Sequence, residues 1–220
     1  MKPYLDQLRY ILEHGTEKQD RTGVGTIACF GFQTRYNIEQ GFPAVTTKRI
    51  ALISTGGTIE KVYDELGGVL VNRVANLDVL LAGLQLRGID LVRVPLMNKD
   101  SLDMDTEDHR QIAAVAKEEA GRRDGVVIVH GTDRLTCTGD AVVEATGDSL
   151  QVPIVLTGAM RPWIMRNSDA PQNLTESLLA VQILDSGVYV CMHNRVLRLP
   201  GVRKDPERLR FVYSSSLQSE

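Results

Sequence analysis

Five short apolar runs constrain what this chain can fold into more than any other feature. They are RIALIST (residues 49–55), DLVRVPL (90–96), GVVIVHG (125–131), VPIVLTG (152–158) and GVYVCMHN (187–194). A strand whose neighbouring side chains are both apolar is buried on both faces, the condition of a parallel sheet with a helix layer on each side. Between the runs the apolar spacing lengthens to that of a helix: Leu77, Leu80, Leu81 and Leu84, then Ile112, Val115 and Ala116, then Leu174, Leu178 and Val181. Asn76 and Thr106 are the expected N-caps, with Glu107 and Asp108 favourably placed in the first turn after Thr106. Gly88, Gly121 and Gly187 are the expected stops. Strand and helix therefore alternate, which predicts an α/β fold: a mainly parallel sheet covered by helices over residues 49–213.

The preceding residues have a different rhythm. Leu5, Leu8 and Leu12, with Tyr4 and Ile11 beside them, mark an amphipathic helix that Gly15 stops. GVGTIACFGFQTRYNI (residues 23–38) alternates loosely and predicts one or two strands, ended by Pro43 and the polar TTKR. Residues 1–48 thus form a short α+β arm, and fewer than fifty residues bury too little surface to be reliably stable alone. Residues 214–220, SSSLQSE, are expected to be a loose polar tail.

Bulk properties exclude several classes. A net charge of -3 leaves no basic excess to cover phosphates, and 5% aromatic residues offer no stacking platform, so no nucleic-acid partner is expected. Cys29, Cys137 and Cys191 are scattered without metal-ligand spacing, which fits a reducing compartment. No apolar run approaches the length of a membrane span, and the first residues carry no signal-peptide core. The expectation is a cytoplasmic soluble protein that contacts no membrane.

In open α/β sheets ligands gather beyond the carboxyl ends of the strands. Three of the apolar runs exit there into STGGTIE (54–60), HGTD (130–133) and TGAMRP (157–162). Each exit joins glycine, which lets backbone N–H groups approach a ligand, to a threonine hydroxyl. Glycine and threonine are also ordinary turn residues, so one such exit means little. A phosphate cradle is a further reading, but neither G-x-x-x-x-G-K-[ST] nor G-x-G-x-x-G occurs. Three exits together favour a small-molecule site.

ISTGGTIE, HGTD, VLTGAMRP and SDAPQNLTESLLAVQ resemble the amino-terminal domain of bacterial-type L-asparaginases, from about Lys48 to Tyr213, and the section is similar to short, single-domain members of that family. The resemblance implies hydrolysis of L-asparagine to L-aspartate and ammonia with no metal or organic cofactor. It implies Thr58 as nucleophile, Tyr63 as its activating tyrosine, and Thr132, Asp133 and Lys204 as the group that moves the proton. Ser101 would bind the substrate α-carboxylate, Asp133 its ammonium, and Ala159 would lend a backbone carbonyl. Thr132 and Asp133 would also cap the helix that follows them. His130 is expected to support its loop and Arg161 to be an ion-pair partner. A lysine serves as base only where burial or a nearby positive charge depresses its pKa. The family's second, carboxy-terminal domain has no counterpart in this sequence, and Leu102 stands where many relatives have a polar residue touching substrate. A homo-oligomer is expected, with a neighbour covering the open site.

HGTEKQDRTGVGT, GFQTRYNI and GFPAVTTKR are similar to the amino terminus of thymidylate synthase, in which the residue matching Arg21 contacts the nucleotide phosphate. That family's Pro-Cys-His element does not occur in the chain, so synthase activity is not expected. Two rivals to the hydrolase stand: an amino-acid-binding protein without turnover, and a nucleotide-binding remnant built on the arm.

Overall fold

The computed structural model describes residues 9–18, 26–28, 47–72 and 76–214. The chain divides into two compact units, Met1–Thr47 and Lys48–Glu220.

In the first unit, helix α1 covers residues 9–14. It ends at Gly15, whose N–H donates to the Ile11 carbonyl at 2.8 Å. Leu12 is exposed and Ile11 half-buried. Strands β1 (Thr16–Lys18) and β2 (Thr26–Ala28) pair antiparallel, with Thr16 opposite Ala28. The expected helix residues Leu5 and Leu8, and residues 29–38 of the expected strands, lie outside the described residues, as do residues 215–220 of the tail.

The second unit runs β3 (Lys48–Gly56), β4 (Lys61–Asp64), β5 (Val69–Asn72), α2 (Asn76–Ala82), β6 (Ile89–Lys99), α3 (Thr106–Ala120), β7 (Gly125–Val129), α4 (Leu135–Thr146), β8 (Pro153–Thr157), α5 (Ala170–Ile183), β9 (Gly187–Met192), β10 (Arg195–Arg198), β11 (Val202–Asp205) and β12 (Arg210–Tyr213). Its central sheet has the order β10-β9-β8-β7-β3-β6. Every neighbouring pair is parallel except β9–β10. That hairpin turns on His193 and Asn194, both at positive φ (54° and 59°), as a two-residue turn matching strand twist requires. Pro95 sits in β6, an edge strand, where a missing ladder N–H is tolerated.

The continuous apolar runs are explained by two cores. Ala51, Ile53, Val126, Ile128, Ile154, Leu156, Val188 and Val190 face one core with Ile112 and Ala116 of α3 and Val142 of α4. The alternate residues Ile50, Leu52, Val127, Val129, Val155 and Cys191 face the other with Leu77 of α2 and Leu174 and Val181 of α5. Each fully buried large aliphatic contributes about 1.5–3 kcal/mol, so a polar substitution at any of these aliphatic positions would weaken a face.

Several helix boundaries differ from expectation for local reasons. The α3 N-cap is Asp105, not Thr106. Its carboxylate accepts from the N–H groups of Glu107 and Asp108, both at 2.9 Å, and Asp108 returns the bond, completing a capping box. Helix α2 stops at Ala82, well before Gly88, which instead sits at φ 86° in the turn leading into β6. Helix α5 stops at Ile183, and Gly187 opens β9. Gly121 does end α3.

Candidate active site

The sheet order fixes where a site can form. From β3 the chain crosses to β6 on one side and then returns to β7 on the other, so β3 and β7 border the topological switch point. Beyond their carboxyl ends lie residues 57–60 and 130–133. Gly57 stands at φ 79°, and a Cβ there would meet the Gly131 nitrogen at 2.4 Å, so the two loops touch backbone to backbone. A Cβ on Gly131 would in turn lie 2.5 Å from Ser101 Oγ, and one on Gly158 would lie 2.3 Å from the His130 carbonyl oxygen. Four strand exits, after β3, β6, β7 and β8, are therefore packed closely enough to exclude even a methyl group.

Lys204 reaches this point from the β11–β12 hairpin, where it pairs with Phe211. Val202 and Phe211 anchor the hairpin in the core beneath α3 and α4. The turn beyond it is closed by Asp205, whose carboxylate accepts from the N–H groups of Glu207 and Arg208 at 3.2 and 3.1 Å. The Lys204 ammonium donates to Thr132 Oγ1 at 2.8 Å and to Asp133 Oδ1 at 2.7 Å. Thr132 is buried, while the Asp133 side chain is 44% exposed and that of Lys204 18%. The three residues form one hydrogen-bonded group with its open side at Asp133. Thr132 and Asp133 do not cap α4 as expected: the N-cap is Arg134, with no side-chain cap bond. The Thr132 and Asp133 side chains are engaged by Lys204 instead.

Thr58, half-buried, opens a single 3-10 turn, Thr58–Glu60, directly after the Gly57 contact. Ser101 is wholly buried, and its hydroxyl has no hydrogen-bond partner among the described residues. Burying an unpaired hydroxyl costs about 1–3 kcal/mol, so a ligand that pairs with it recovers that cost. Ala159 is wholly buried one residue past the Gly158 contact. Tyr63 is different. It lies on β4 opposite Leu70, 58% exposed, and among the described residues it makes no side-chain hydrogen bond to the cluster.

The supporting residues were partly foreseen. Wholly buried His130 holds the Gly131 carbonyl through Nδ1 at 2.7 Å, and burial pushes its imidazole down to about 4, so it supports the loop as a neutral ring. Arg161 Nε lies 3.9 Å from Asp169, the expected ion pair. From sequence, Asp169 itself, Asn173 and His193 carry no expected role in the site, although the first two lie in the SDAPQNLT stretch. Asp169 accepts from the N–H groups of Met160 and Arg161, and pairs with Asn173 Nδ2 and His193 Nε2, holding the GAMRP turn in one shape. Those bonds, against the opposing effect of burial, keep its carboxyl below the ordinary range. Likewise unforeseen, Lys61 and Asp100 form an ion pair of 2.5 Å tying β4 to the segment that carries Ser101. No cluster of three or more His, Cys, Asp or Glu among the described residues could hold a metal ion. Two hollows of about 490 and 360 Å³ line neither Thr58, Thr132 nor Lys204.

Fold and site together define a doubly wound α/β protein with a threonine–aspartate–lysine cluster at its switch point. The sequence model of the family "Asparaginase, N-terminal" matches residues 49–208, and the chain belongs to that family. Among solved structures it is similar to the thermostable L-asparaginase from Thermococcus kodakarensis, at 32% identity and a TM-score of 0.64, covering 71% of this chain and 47% of that one. It is also similar to a probable cytoplasmic L-asparaginase from Campylobacter jejuni, at 31% identity and a TM-score of 0.54, covering 71% and 48%. Similarity to L-asparaginase I from Vibrio cholerae, 24% identical with a TM-score of 0.62 and covering 76% and 52%, supports the fold alone. The chain thus spans about half the length of these asparaginases. The thymidylate synthase model matches residues 2–70. Thymidylate synthase from Listeria monocytogenes serotype 4a is 58% identical over 50 residues, 23% of this chain and 16% of that enzyme. No helix among the described residues is long and apolar enough to cross a membrane.

Proposed function

We propose that the Lys48–Glu220 unit is an amidohydrolase that converts L-asparagine to L-aspartate and ammonia through Thr58. The observation that carries this reading is the Lys204 ammonium bonded at once to Thr132 Oγ1 and Asp133 Oδ1, beside the loop that presents Thr58. A threonine hydroxyl is a weak nucleophile and needs a neighbouring group to take its proton. The Thr132–Lys204 pair supplies a relay for that proton across the Gly57–Gly131 contact.

In the first half-reaction Thr58 Oγ attacks the side-chain amide carbon, and its proton passes through the Thr132 hydroxyl to Lys204 in its neutral amine form, since an ammonium has no lone pair to take it. Backbone N–H groups beside Thr58, other than that of Gly57, which donates to the Lys99 carbonyl at 3.0 Å, would stabilise the developing oxyanion, an interaction worth a few kcal/mol. The C–N bond then breaks, the proton goes to the leaving nitrogen, and ammonia departs from a threonyl ester. Water cleaves the ester, giving the acid and restoring the Thr58 hydroxyl. The unpaired Ser101 hydroxyl takes the α-carboxylate, the exposed Asp133 carboxylate the ammonium, and the Ala159 carbonyl a further polar group. Tyr63 joins by movement of the β4–β5 hairpin. Coupled detection of ammonia tests the reading with asparagine and glutamine side by side. Wild type releases ammonia from asparagine, and Thr58→Ala loses at least about a hundredfold in kcat. Equal rates in the two proteins would remove Thr58 from the chemistry, and no release by wild type would leave a binding protein.

A further inference from the structure

A chain of three side chains leads away from the site and plays no part in the steps above. His130 Nδ1 lies 2.7 Å from the Gly131 carbonyl oxygen, and His130 Nε2 lies 2.8 Å from Thr138 Oγ1 on α4. Thr138 Oγ1 is in turn 2.7 Å from His109 Nδ1 on α3. His130 and Thr138 are wholly buried, and His109 is half-buried. Two helices and the catalytic loop are thereby joined through one hydroxyl.

Donor and acceptor counting fixes the direction of every bond. A carbonyl oxygen only accepts, so His130 Nδ1 carries a hydrogen. Wholly buried and with no carboxylate bonded to it, His130 is neutral near pH 7, so its Nε2 is a bare acceptor. The Thr138 hydroxyl hydrogen must then point at Nε2. A hydroxyl has one hydrogen, so toward His109 it can only accept, and His109 Nδ1 must donate. The opposite order would set two lone pairs against each other at the Gly131 carbonyl. Holding that carbonyl also fixes the peptide plane between Gly131 and Thr132 and turns the Thr132 N–H to the other side. Among the described residues that N–H has no hydrogen-bond partner.

We propose that His109 and Thr138 are positioning residues: a one-way chain from His109 through Thr138 to His130 sets the Gly131–Thr132 peptide and so the orientation of Thr132 in the site. Its effect on turnover rests on the asparaginase reading, whereas its effect on proton positions does not. The chain also separates two jobs. Lys204 engages the Thr132 side chain, and the histidine chain sets its backbone.

The experiment uses the full chain labelled with 15N, in which long-range proton–nitrogen correlation reads the tautomer of each of the four histidines. His130 is expected with its hydrogen on Nδ1, and His109 with a hydrogen on Nδ1. His109→Asn keeps a donor at that place and should preserve both the His130 tautomer and kcat. His109→Asp has the same shape but accepts, pulling the Thr138 hydrogen away from His130. It should shift the His130 Nε2 resonance and lower kcat about tenfold, the effect of one misdirected hydrogen bond. Thr138→Val should cost a similar factor and Thr138→Ser should restore it. A His130 hydrogen on Nε2 in the wild type would overturn the proposal, as would equal His130 resonances and kcat in the Asn and Asp variants. Absence of ammonia release by the wild type would sink the asparaginase reading, while the tautomer and the Asn/Asp difference would still decide the chain.

Discussion

Burying His130 as a neutral ring has a consequence for stability that can be measured. Its imidazole falls from 6.5 in the unfolded chain to about 4 in the fold, with desolvation by burial as the chief cause, set against the bond to the Gly131 carbonyl. A depressed base binds fewer protons folded than unfolded. Its contribution is therefore complete above the unfolded value and is lost as pH falls towards the folded value. At about 1.4 kcal/mol per pH unit the whole shift is worth about 3 kcal/mol, and roughly 2 kcal/mol of it disappears between about pH 7.5 and about pH 5. His109, held low by burial and by Arg134, adds a slope of the same sign. Glu60 and Asp140, whose carboxyls burial raises, act in the opposite sense. The lowered carboxyls of Asp100, Asp108 and Asp169 titrate below this window. The comparison is accordingly between wild type and His130→Asn, which keeps a donor for the Gly131 carbonyl and removes the titration. Trp163, the single tryptophan, packs against the α2–α5 core, so its fluorescence in urea reports the α/β unit alone. Wild type should lose about 2 kcal/mol more than the variant between the two pH values. Equal losses would mean that His130 is not buried as a neutral ring.

Two further outcomes test the site. Lys204→Met should fold normally, because the hairpin is anchored by Val202 and Phe211, yet lower ammonia release from asparagine by about a hundredfold; a change of under twofold would take Lys204 out of the relay. Gly57→Ala would force a Cβ to within 2.4 Å of the Gly131 nitrogen at a backbone φ of 79°. It should cost about 1–3 kcal/mol in urea unfolding and abolish turnover, and a wild-type midpoint would show that the two loops do not meet there.

What was legible in the sequence follows from what each signal measures. The strands could be read because both faces of Ile50–Ile53 and Val126–Val129 are buried, and burial on both faces leaves no polar residue to break the run. Helix ends were less legible. A cap is a choice between adjacent polar residues, and Asp105 wins over Thr106 because only it lies three residues before Asp108, which reciprocates. Gly88 and Gly187 misled because glycine serves a strand entry at positive φ as well as a helix exit. In the site, hydroxyls and glycines at strand exits stood out because the five parallel strands bring their carboxyl ends together. Lys204 could be placed only by family resemblance, since it arrives on a separate hairpin 72 residues after Thr132 in the chain. Asp169 and His193 escaped notice for a related reason: their partners are mostly backbone N–H groups and each other, which composition does not mark.

The seam between the two resemblances falls where packing permits it. The synthase model runs to residue 70 and the asparaginase model begins at 49, so both claim residues 49–70. Physical pairing decides between them. Residues 50–53 are wholly buried in β3, which is paired in parallel with β6 on one side and β7 on the other. A central strand with helices on both faces cannot be lent to another sheet without removing the switch point that the loops after β3 and β7 share. The 49–70 segment therefore belongs to the α/β unit, in agreement with the division after Thr47. A join within β3 or β7 would have broken the Gly57–Gly131 contact and with it any route between Thr58 and Lys204. One just before Lys48 leaves every strand exit of the site on the same side of the seam.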